Sequence, residues 1–260
     1  MNTFQAIRTN ARNNRKEIIS FLENHYLIRE HGKSRTRPVK SICIFCSSDQ
    51  NITKEHVLPR WAFERHPNRT FKTIINGLSH KYNQTTLLAC KNCNTNLLSK
   101  FESRVLEIFS NHNLPNEFFK DDEISDIIRW MQILDYKFQV FSLLTRFRAV
   151  AGKGNISFLS DYSLSVLDPA IEYSPVKVLR NLRRSLNRIT VLSKNKNINS
   201  LVVFKTSNPD ISFFHKNNDF LFLELPHHQV AIMYFYELIF PDVFTARDHA
   251  MNLIKNHYNK

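Results

Sequence analysis

A chain of 260 residues and 30.7 kDa with 42% hydrophobic residues is long enough to bury one large core or two modest ones. Its formal charge of +13 and sequence pI near 9.7 favour a polyanionic partner, either nucleic acid or an anionic membrane surface. The membrane alternative is set aside because the apolar stretches at 198–204 and 230–240 fall short of the roughly 20 residues that span a bilayer, and with four glycines and no Gly-rich phosphate loop, P-loop nucleotide hydrolysis is set aside too.

In chain order, residues 3–30 are polar and basic with apolar positions at Phe4, Ile7, Ile18, Ile19, Leu22 and Ile28, which predicts one or two short amphipathic helices. The stretch 31–40, rich in Lys, Arg and Ser and containing Pro38, reads as a linker. Up to Lys40 there are nine Lys or Arg against three Glu and no apolar leader with a cleavage site, so a basic arm is expected and export is not. Residues 41–58 carry a cysteine knuckle and a short strand that Pro59 stops. A polar connection containing Asn76-Gly77 then leads to a second apolar run, 85–89, which feeds into Cys90.

From Thr95, Leu97, Leu98, Phe101, Val105, Leu106 and Phe109 recur at helical spacing. Residues 121–150 read as a long helix, opened by acidic residues that suit its positive end and carrying Arg146 and Arg148 near its negative end. A further helix over 175–189 sets Leu179, Leu182, Leu186 and Ile189 on one face and Lys177, Arg180, Arg184 and Arg188 along another. Strands are expected at 200–206, 220–225 and 229–240, and a last helix at 245–257. The expected class is α+β, divided into a basic helical arm (1–40), a metal-pinned module (41–112) and a C-terminal α+β domain (113–260).

All four cysteines lie in two C-x-x-C pairs, Cys43/Cys46 and Cys90/Cys93. Four thiolates at such spacing make a closed tetrahedral zinc site with no position for substrate, so the expected Zn²⁺ is structural. A disulfide scaffold is improbable for so few cysteines in so long a chain, and the reading is a metal site in a reducing cytosol.

Between the pairs runs Thr53-Lys54-Glu55-His56-Val57-Leu58-Pro59-Arg60-Trp61; after the second pair come Asn94 and, two helical turns on, Glu102. The order C-x-x-C, Glu-His-Val-x-Pro, C-x-x-C-Asn and a helix carboxylate resembles the HNH endonucleases, in the branch whose ββα-metal core is stapled by a four-cysteine zinc. The likeness covers about a quarter of the chain, 42–107. It implies His56 as general base, Glu55 and Glu102 as ligands of a catalytic Mg²⁺ or Mn²⁺, and Asn94 as the middle Asn that ties the loop to the helix. It also implies cleavage to 5′-phosphate and 3′-hydroxyl ends. Two positions depart from the family pattern: the acid before the base is Glu where Asp is commoner, and the last position is Glu where His or Asn is frequent.

The chemistry calls for these residue types on its own account. Phosphodiester hydrolysis needs a base for the attacking water, a task suited to an imidazole with an ordinary pKa of about 6.5. It also needs a hard cation on the phosphate, which oxygen ligands hold. Arg60, Lys177, Arg180, Arg184 and Arg188 are the candidate phosphate contacts, each neutralising charge without choosing a sequence. The expectation is therefore a cytoplasmic endonuclease acting on DNA, in restriction or antiphage defence, as a homo-oligomer or with a defence-system partner. A zinc-containing protein that binds nucleic acid without cutting it, and a ribonuclease, stand as alternatives.

Overall fold

The computed structural model describes residues 3–30, 41–66, 68–72, 79–112, 119–145, 175–191, 200–216 and 219–259. The architecture is α+β, with a helical N-terminal segment, strands beside a four-cysteine cluster, and a β-rich C-terminal part. The chain divides into two compact units, each made of two segments: Met1–Phe101 with Gln132–Val191, and Glu102–Met131 with Leu192–Lys260. These units cut across the linear boundaries at 40 and 112. The expected linker 31–40, the Asn76-Gly77 turn, and Arg146 and Arg148 lie outside the described residues.

The first unit opens with α1 (Thr3–Asn13) and α2 (Arg15–Glu30), joined at Asn14 with little break in the backbone ladder, since Asn14 N–H bonds the Asn10 carbonyl and Ile18 N–H the Asn14 carbonyl. Phe4, Ile7, Ala11, Ile18 and Leu22, one face at helical spacing, are buried. The knuckle follows, then β1 (Ile52–His56), a single helical turn α3 (Arg60–Phe63), and a small hairpin of β2 (Thr70–Lys72) and β3 (Ser79–Lys81). Next is β4 (Thr86–Cys90), antiparallel to β1 with Ile52 opposite Cys90 and His56 opposite Thr86. The strand ends at His56, three residues ahead of Pro59, which stands in extended geometry just before the first helical residue, Arg60.

Beyond Cys90 the chain winds first as a wide turn over Asn92–Leu98, in which the Ser99 N–H reaches back to the Asn94 carbonyl, and only then as α4 (Ser99–Asn111). The long helix α5 (Asp121–Thr145) supplies both units. Residues 130–138 along it are all buried, Asp135 and Lys137 included. A helix buried on every side has no polar face, so both charges require partners. Helix α6 (Pro175–Thr190) packs on α1 and α2 and buries Leu182, Leu186 and Ile189.

The second unit holds a four-stranded antiparallel sheet in the order β5-β8-β7-β6, from β5 (Leu201–Lys205), β6 (Ser212–Lys216), β7 (Phe220–Leu225) and β8 (Val230–Phe235). Helix α7 (Val243–Tyr258) covers one face, packing Ala246, Ala250, Leu253 and Ile254 against Val202, Phe222, Met233 and Phe235. Strand β6 was not expected: Ser-Phe-Phe-His-Lys lacks an alternating pattern, and it gains its place by register with β7, Phe214 facing Phe222. One buried carboxylate, Glu224, is met by the hydroxyls of Thr206 and Tyr258 and by the Asn208 amide.

Candidate metal centre and candidate active site

Cys43, Cys46, Cys90 and Cys93 come together from the knuckle and the β4–helix junction, with their sulfurs within 4.8 Å of one another. The Cys46 and Cys90 sulfurs are 3.6 Å apart, close to the ~3.8 Å edge of a tetrahedron with Zn–S bonds of about 2.3 Å. Backbone N–H groups of Phe45 and Cys93 point at the Cys43 and Cys90 sulfurs, each at 3.4 Å, as donors that favour thiolates. Ser47 and Asn51 adopt positive φ of 55° and 50°, which curls the knuckle tightly enough to aim both of its sulfurs inward.

The Cys43 thiol is lowered because the Cys46 and Cys93 groups hydrogen-bond to its sulfur; Cys46 is in turn pushed up to about 12 and Cys93 further still by serving as those donors. The donor set and its spacing fit Zn²⁺.

His56 sits at the end of β1, partly exposed. Its Nε2 lies 3.2 Å from the Asn83 carbonyl oxygen and its ring packs on Phe63 with centroids 5.5 Å apart. A carbonyl oxygen can only accept, so this contact places a proton on Nε2. Asn94 donates its side-chain amide to the Thr53 hydroxyl at 2.9 Å and to the Lys54 carbonyl at 3.2 Å, joining the wide helical turn to β1 just ahead of the Glu-His pair. Thr53 passes the tie on to the Ala89 carbonyl at 2.8 Å.

Adjacent on the strand, Glu55 turns the other way and is buried. Its Oε1 takes a hydrogen bond from the ammonium of Lys137 on α5, which is wholly buried and also donates to the His56 carbonyl at 3.1 Å. One ammonium therefore holds both residues of the dipeptide. Tyr136, the next residue back, is anchored beside the knuckle: its hydroxyl donates to the Ile44 carbonyl at 2.7 Å and its ring meets Phe45 edge-on at 5.7 Å. Burial raises its phenol well above the usual range.

Glu102 is buried on α4 and belongs to the second unit. Among the described residues, the cysteines form the one group of three or more His, Cys, Asp or Glu close enough to hold a metal; Glu55 and Glu102 are in no such group. Of the cations singled out, Arg60, Arg180 and Arg184 are exposed, and the side chain of Lys177 lies outside the described residues. Arg188 differs from these in its surroundings: it pairs with the buried Asp135 at 3.1 Å, is itself largely buried, and joins α6 to α5.

Lys137, Asn83 and Thr53 went unrecognised in the sequence. For Lys137 a signal existed: a charge in Ile-Leu-Asp-Tyr-Lys-Phe, within a helix lacking a polar face, demands a buried partner. No helix among the described residues is long and apolar enough to cross a membrane. Comparison with protein-family models, with curated proteins and with solved structures found no match.

Proposed function

We propose that the chain is a zinc-stabilised, HNH-type endonuclease that hydrolyses phosphodiester bonds in nucleic acid, DNA in the first instance, in a restriction or antiphage role. The observation that carries the reading is the placing of His56: its ring is held through Nε2 by the Asn83 carbonyl, which turns Nδ1 away from that contact, on a strand that Asn94 ties to the helix after the second cysteine pair. That is the arrangement a general base requires.

In the proposed reaction His56 Nδ1 takes a proton from water, the water oxygen forms a new bond to phosphorus, and the bond to the 3′ oxygen breaks. The departing oxygen gains a proton, leaving 3′-hydroxyl and 5′-phosphate ends. A divalent ion at the phosphate would, when bound, supply positive charge to the phosphate oxygens. Asn94 and Lys137 act as positioning residues, fixing the backbone on which His56 rides. The test is plasmid nicking with Mg²⁺ or Mn²⁺, native chain against His56→Ala, with a labelled single-stranded RNA in parallel. Activity lost in His56→Ala supports the proposal, and cleavage confined to the RNA would make the protein a ribonuclease.

One observation favours a second reading, a zinc module that binds nucleic acid without cutting it. The buried Lys137 already neutralises Glu55. No activity in either chain with zinc intact decides for that module, and equal activity in both takes the base role from His56.

A further inference from the structure

Two basic segments far apart in the sequence, the N-terminal helices and α6, meet around a single cleft of about 670 Å³ in the first unit. Arg12, Arg15 and Lys16 line one side, Arg183 and Val191 another, and Ile19 contributes apolar surface. Among the described residues the lining contains one acid, Glu23, and it is already engaged by the Arg183 guanidinium. Arg12, Arg15 and Lys16 form no ion pair with a described residue. Three like charges at helical i, i+3 and i+4 spacing make a local positive field that favours an anion. The volume is within the range of ligand sites, about 300–1,000 Å³.

The lining also indicates which anion. Among the described residues it holds no aromatic ring on which a base could stack and no glycine-rich turn of the kind that wraps a terminal phosphate. Cations on long side chains, exposed at Arg12 and Lys16 and partly so at Arg15, over a small apolar floor suit repeating phosphates and the faces of sugars, contacts that position a strand without reading it. The cationic edge is held to the metal centre: Asn14, between Arg12 and Arg15, bonds the Asn10 carbonyl at 2.8 Å and accepts from the Ser47 hydroxyl of the knuckle at 2.9 Å.

We propose that this cleft is an accessory polynucleotide site, gripping the backbone of a strand through Arg12, Arg15 and Lys16 on the same unit that carries His56. The proposal rests on the nucleic-acid part of the function above and not on cleavage. The experiment measures fluorescence anisotropy of a labelled duplex of arbitrary sequence, and of its single strand, across a salt series. Zinc-loaded native chain is compared with R12A/R15A/K16A and with the charge-keeping R12K/R15K. The triple variant should bind at least about tenfold more weakly. Its slope of log affinity against log salt should be shallower by about 2.7 on duplex or about 2 on single strand, three phosphate contacts' worth. R12K/R15K should retain affinity and slope.

Unchanged affinity and slope in the triple variant would overturn the proposal. So would an R12K/R15K chain as weak as the triple variant. A nucleoside triphosphate whose binding depends on these three residues, while the polynucleotide's does not, would overturn it in favour of a small anion. Nicking by the native chain is scored separately: binding with the expected slope but no cleavage sinks the nuclease reading and leaves the cleft assigned.

Discussion

Replacing Lys137 by Met removes one ammonium and its donors while keeping most of the buried stem, so the loss can be assigned to charge more than to volume. In the native chain Lys137 is fully buried and Glu55 nearly so, 0% and 8% exposed at the side chain. Breaking a buried pair on one side typically costs about 3–5 kcal/mol, because the remaining charge is stranded. The expected loss for Lys137→Met is therefore about 3–5 kcal/mol. Urea unfolding followed by circular dichroism, with zinc in excess, measures it. In the double variant Lys137→Met/Glu55→Leu most of the loss should return. A loss below about 1 kcal/mol would refute the claim that this ion pair holds the Glu-His segment.

Two further outcomes are expected. Elemental analysis should find one zinc per chain. Its removal by chelator, or Cys90→Ser, should cost on the order of 10 kcal/mol in the first unit, erasing hydrogen-exchange protection across β1 and β4; a fully protected β1 in zinc-free protein would contradict the assignment. At the start of α7, Asp242 accepts from the Thr245 N–H at 2.8 Å and from its hydroxyl at 2.9 Å, and the N–H first, then the hydroxyl, holds its carboxyl below the usual range. Because the folded-state pKa is the lower one, this cap is intact above the ordinary carboxylate value and is lost as pH falls through the depressed one. The exchange protection factor of the Thr245 amide should drop only in that acid window, and the same drop in Asp242→Asn would rule the cap out as its cause.

Much of the first unit was legible because its signals are local. The C-x-x-C pairs announce their own chelation, and α6 follows from 3.6-residue periodicity, as α7 does in the second unit. What escaped depends on partners distant in the chain. Lys137 and Glu55 are 82 residues apart, and a lysine in isolation reads as solvated. Arg188 shared a helical stripe with Arg180 and Arg184, and only the arrival of Asp135 from α5 separates it from them. The basic cleft was present in the sequence as two unconnected runs of charge; their meeting is a property of how α1, α2 and α6 pack.

That α5 lends its residues to the Glu-His strand limits how far the motif can travel. A fragment ending near residue 112 would include every cysteine, His56 and Asn94, yet would leave out the ammonium that neutralises Glu55 and the phenol that braces Ile44. Grafting or truncation guided by the motif's linear extent would thus deliver a zinc knuckle with a bare acid in its interior. The smallest portable piece must bring Tyr136 and Lys137 along with it.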